Sequence, residues 1–78
     1  MTLADSPFGA ETRVIAVGGS GPIALRLMEM GLVPGAPVRT VKSAPFGDPI
    51  QVFVRSYHLA LRRAEAETVT VKLVNEQF

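Results

Sequence analysis

A chain of 78 residues, 47% hydrophobic and 19% charged with net charge +1, has the composition of one small folded domain and not of a disordered polyelectrolyte. It contains no cysteine, which excludes a disulfide framework and a thiolate metal site, and its eight basic residues are scattered except for the adjacent Arg62 and Arg63, which argues against a nucleic-acid patch. No apolar run approaches the ~18 residues that span a bilayer, and Met1 to Asp5 lacks the pattern of a signal peptide, so the expected setting is the cytoplasm, without membrane insertion.

In chain order, residues 1–10 are expected to be loose, with the folded domain over residues 11–75 and the last three or four residues loose again. Thr12 to Val17 is β-branched and predicts a strand. Gly18-Gly19-Ser20-Gly21 breaks it, and Pro22 suits the first turn of a helix, where its missing N–H costs nothing. Ile23, Ala24, Leu27, Met28 and Met30 then recur at helical spacing over about three turns, with Arg26 and Glu29 opposite. Gly31 is placed to stop this helix in a left-handed conformation, with Leu32 supplying the usual apolar contact. Leu32-Val33-Pro34-Gly35 reads as a turn.

Everything beyond reads as β-structure. Val38 to Ser43 alternates imperfectly, which predicts a bulged strand. Ala44-Pro45-Phe46-Gly47-Asp48-Pro49 is a hairpin loop, with Gly47 supplying the unusual backbone angles. Ile50, Val52 and Val54 face inward on the next strand, and Tyr57, Leu59 and Leu61 on the one after it. Arg63 to Glu67 is too short for a stable helix and reads as one helical or 3₁₀ turn, and Val69, Val71 and Leu73 alternate in a final strand. The expected fold is mainly β: a small barrel of about five strands, with one short helix between the first two.

Gly19-Ser20-Gly21-Pro22-Ile23-Ala24 matches the dinucleotide pattern G-x-G-x-x-G/A between a strand and a helix. It lacks the acidic residue expected about 20 positions on, and the next strand turns straight into another through Pro45 to Pro49. A plain strand-to-helix connection is the better reading. His58 is the only histidine and falls on an outward strand phase; Ser20, Ser43 and Ser56 have no evident base; Asp48 reads as a turn former. No catalytic, metal or cofactor residue is assigned, and the chain is expected not to be an enzyme.

Leu27-Met28-Glu29-Met30-Gly31-Leu32-Val33-Pro34-Gly35, then Ala44-Pro45-Phe46-Gly47-Asp48-Pro49, then Tyr57-His58-Leu59-Ala60-Leu61-Arg62, resembles the FeoA family of ferrous iron transport A proteins. A related module ends the iron-dependent transcriptional repressors. The resemblance implies an SH3-like barrel and a cytosolic accessory role in ferrous iron uptake, through contact with the cytosolic part of the FeoB transporter. The alternative it implies is a regulatory or metal-sensing module like that of the repressors, which a neighbouring helix-turn-helix segment would mark. Leu27, Gly31, Pro34, Gly35, Pro45, Gly47, Asp48, Pro49, Leu59 and Leu61 carry the resemblance as fold-defining residues.

Partner contact is assigned separately. At ~100° per residue Leu25 falls outside the arc centred on Ile23, Leu27 and Met30, and Met28 borders it. Leu25 and Met28 are the expected docking residues, and the strand face around Tyr57 and Arg62 is the second choice. A weak self-contact between copies explains the same exposed leucine.

Overall fold

The computed structural model describes residues 1–19 and 21–74; the expectation of loose terminal residues falls on 75–78, outside the described residues. The elements in chain order are β1 (Glu11–Val17), α1 (Pro22–Glu29), β2 (Pro37–Ser43), β3 (Ile50–Val54), β4 (Tyr57–Leu61), α2 (Arg63–Ala66) and β5 (Val69–Leu73). They form one antiparallel sheet of five strands in the order β4-β3-β2-β1-β5. Pro22 does open α1, but the helix is eight residues long, just over two turns and short of the expected three. β2 runs antiparallel to β1, so the glycine-rich connection does not belong to the parallel strand–helix–strand unit that a dinucleotide site requires.

β2 carries its bulge between Thr40 and Lys42, which explains its imperfect alternation; β1 has another between Val14 and Ala16. Such bulges sharpen the twist. Leu61 near one edge of the sheet and Val69 and Val71 at the other share a single buried cluster with Leu27, Leu32 and Val52. The sheet therefore curls around one core, as a small barrel must.

Three expectations need correction. Residues 1–10 are not loose. Leu3 is fully buried within a 3₁₀ turn over Leu3–Asp5. Val71 N–H donates to the Met1 carbonyl at 2.8 Å, and Gly9 N–H donates to the Thr40 carbonyl at 2.8 Å. The Ser6 hydroxyl, also buried, meets the Thr40 hydroxyl at 2.8 Å and donates to the Leu3 carbonyl at 2.9 Å. The segment thus runs from β5 to β2 and belongs to the barrel.

The helix stripe is also shifted. Ala24 and Leu27 are its buried residues, while Ile23 is 52% exposed and Met28 sits at the margin. The core arc centres between Ala24 and Leu27, which puts Ile23 at one border and Met28 at the other. On the outer strands the inward set narrows. Leu61, Val69 and Val71 are buried, Leu59 is partly so, and Tyr57 and Leu73 are substantially exposed.

Candidate partner-docking surface

The end of α1 is built by Gly31. Its φ of +107° lets Gly31 N–H reach the Met28 carbonyl at 3.0 Å, and Leu32 N–H reach the Leu27 carbonyl at 3.1 Å. These are the paired bonds of a Schellman stop, and Leu27 and Leu32 are buried together beneath it. The turn at Arg55-Ser56 that joins β3 to β4 packs against the same place. Tyr57 Oη donates to the Met30 carbonyl at 2.9 Å, satisfying a helix-end acceptor from another element.

α1 is tied to α2 along its side. Arg26 pairs with Glu65, whose side chain is only 11% exposed, and the other Glu65 oxygen accepts the Arg62 N–H at 3.0 Å. The β2–β3 loop joins the same assembly, because Asp48 Oδ1 accepts Arg63 N–H at 3.0 Å at the start of α2. Asp48 is therefore a cap as well as a turn residue. Gly35 and Gly47 both adopt positive φ, at +90° and +83°, and Pro49 follows a cis peptide bond.

Leu25 is 56% exposed, on the solvent side of α1, and Met28 is at the margin beside it. Tyr57, half exposed, borders the C-terminal end of the helix through its bond to Met30. Arg62 lies past the opposite end of β4 and reaches α1 only indirectly, through Glu65. The surface thus gathers Leu25, Met28 and Tyr57 around α1, while Arg62 stands apart. The most exposed large apolar residue was not read as a surface feature: Phe46, at the tip of the β2–β3 loop, has its side chain almost wholly in water. Its place between Pro45 and Gly47 in a turn was the signal for that.

Other chemistry finds little footing. His58 Nδ1 is within 3.0 Å of Gln51 Nε2, and its ring leans on Phe53. Among the described residues no group of three or more His, Asp or Glu side chains converges as a metal site would need. No helix of the described chain is long and apolar enough to cross a membrane.

Comparisons with known proteins fit this architecture. A fusion of Fe(2+) transport protein A with the Fe(2+) transporter FeoB from Porphyromonas gingivalis is 32% identical over 75 residues, covering 96% of this chain and 9% of that protein. The chain therefore spans under a tenth of that relative's length. The solution structure of FeoA from Chlorobium tepidum superposes with a TM-score of 0.90 at 36% identity, over 100% of this chain and 74% of that one. The zinc complex of Stenotrophomonas maltophilia FeoA, described as an SH3 domain protein and proposed as a ferrous iron transport activating factor, gives 0.81 at 38% identity, over 92% and 89%. A manganese-dependent transcriptional repressor shares the fold alone, at 16% identity and a TM-score of 0.84, over 95% of this chain and 36% of that one. The FeoA domain model matches residues 1–73, which takes in the N-terminal segment packed against β5, and the chain belongs to the FeoA domain family.

Proposed function

We propose that this protein is a cytosolic accessory factor of ferrous iron uptake, acting by docking onto a FeoB-type transporter and not by catalysis. The observation that carries the reading is the Porphyromonas gingivalis relative, in which a homologous domain and FeoB share one polypeptide. Fusion holds two modules at high effective concentration, which benefits partners that must meet. The docking face is the exposed side of α1, with Leu25 at its centre and Met28 beside it, a flexible thioether suited to adaptable contacts. A leucine left in water costs little in isolation, so Leu25 gains its meaning only if a partner covers it.

The test is Leu25→Glu, titrated against the purified cytosolic part of the matching transporter by calorimetry. The variant keeps its unfolding free energy within about 0.5 kcal/mol, because no core contact is removed. It binds about tenfold or more weakly, because a buried carboxylate replaces an apolar anchor. If wild type shows no saturable binding, the transporter reading fails. If the variant unfolds, Leu25 belongs to the packing. A folded variant that binds normally moves docking away from Leu25, to Tyr57 or to Arg62 at the two ends of β4.

A further inference from the structure

The β3–β4 turn, which packs against the end of α1, also borders a groove of about 300 Å³ where it meets the start of β1 and the start of β2. Arg13, Arg39 and Arg55 line it, together with Phe53 and Glu11. Pairing brings these distant residues together: Glu11 lies opposite Arg39, Arg39 opposite Phe53, and Arg13 opposite Lys72. The Arg39 guanidinium sits 5.2 Å from the centre of the Phe53 ring, which holds it as a fixed, partly desolvated charge. Arg13 donates to the Gly35 carbonyl at 3.0 Å. Among the described residues the ion pairs are Arg26–Glu65 and Arg63–Glu67, and none of the three groove arginines is paired with a carboxylate of those residues.

Charge is concentrated here. Three arginines against one glutamate give the groove +2 in a chain of net charge +1, so the other five basic and six acidic residues sum to −1. The backbone beneath the groove is unusual as well. Arg55 and Ser56 form the two-residue turn with φ of +52° and +71°, positions where Asn-Gly is the unstrained choice. Strain of this kind costs about 1 kcal/mol or more per residue and persists where the surroundings enforce it. Here it sets Arg55 at the groove's rim.

We propose that this groove binds an extended acidic peptide segment of a partner protein, its carboxylates engaging Arg13, Arg39 and Arg55. Planar guanidiniums take carboxylates in paired hydrogen bonds. Same-side side chains of an extended peptide repeat every ~6.7 Å and adjacent strands of the receptor lie ~4.8 Å apart, a difference of ~2 Å per step that long arginine side chains can take up. Glu11 inside the groove disfavours a uniformly charged nucleic-acid backbone, and the low total charge supplies no long-range field for one. Leu25 and Met28 do not line the groove, and the proposal does not depend on the identity of the transporter partner.

The test uses a short fluorescein-labelled peptide alternating glutamate and leucine, read by anisotropy on the full chain. Controls are the same peptide with lysine for glutamate and a labelled oligothymidylate. Wild type binds the acidic peptide saturably, and raising salt from about 50 to about 500 mM weakens binding several-fold. The double variant Arg13→Gln/Arg39→Gln loses about tenfold or more, and Leu25→Glu leaves this binding unchanged. Glu11→Gln removes the only negative charge lining the groove among the described residues, so it tightens binding about two- to threefold and checks the assignment by a gain that misfolding would not produce. No saturable binding by wild type, an unchanged double variant, or a Glu11→Gln variant that binds no better overturns the proposal. Oligothymidylate binding as tightly as the acidic peptide also overturns it, in favour of a general polyanion surface.

Discussion

Gly31 meets two demands at once. Its φ of +107° lies where an L side chain is strained, and a Cβ built there would stand 2.7 Å from Arg55 Cδ and 2.8 Å from Nε. Gly31→Ala therefore lowers the unfolding free energy by about 1 kcal/mol or more, chiefly through the backbone, since the Arg55 side chain can swing aside. Asn tolerates left-handed angles better than Ala, which lessens the backbone cost, but its Cβ meets the same Arg55 atoms. Denaturant unfolding of both variants checks this; an alanine variant with wild-type stability removes Gly31 from its role. The glycine was legible as a helix stop because Leu32 and the proline-glycine turn follow it. Its contact with Arg55 was not, because 24 positions of chain separate the two residues and only the hairpin turn brings them together.

At the scale of elements, the strands were readable where each buries one face. β3 alternates strictly, with Ile50, Val52 and Val54 buried, and its period of two was visible in the sequence. α1 was harder, because a helix of just over two turns can bury only a narrow stripe, and Ile23 and Leu27 fit one stripe as well as Ala24 and Leu27. Packing against the sheet made the choice. The β2–β3 loop was legible as a turn from its glycine and prolines, but not as a clamp on α2. Asp48 Oδ1 accepts Arg63 N–H at 3.0 Å, satisfying an otherwise free donor at the start of that short helix. Asp48→Ala should cost about 1 kcal/mol, and Asp48→Asn less, because the amide oxygen still accepts. Thermal unfolding of the two variants separates capping from turn preference: equal losses would mean that the hydrogen bond contributes nothing.

For the molecule as a whole, the barrel was legible from strand count and spacing, but its closure was not. Leu3 shares its short stretch with Met1, Ala4 and Phe8 and has no periodicity to single it out, and its burial depends on partners some 40 to 70 residues away, such as Thr40 and Val71. The groove arginines were hidden for the same reason: scattered along the chain, they adjoin only through strand pairing. The N-terminal segment gives the sharper test. A chain of this size holds about 4–12 kcal/mol of stability at ~0.05–0.15 kcal/mol per residue. Leu3→Ala leaves a cavity at a fully buried site and should cost about 2–5 kcal/mol, a large part of that total. The loss should be felt on both strands that the segment joins. Hydrogen exchange should therefore show amides of β2 and β5 losing protection together, since residues 1–10 bond to Thr40 on one and Val71 on the other. Should Leu3→Ala shift stability by less than about 0.5 kcal/mol, or deprotect only the first ten residues, the segment is a strap laid over a barrel that stands without it.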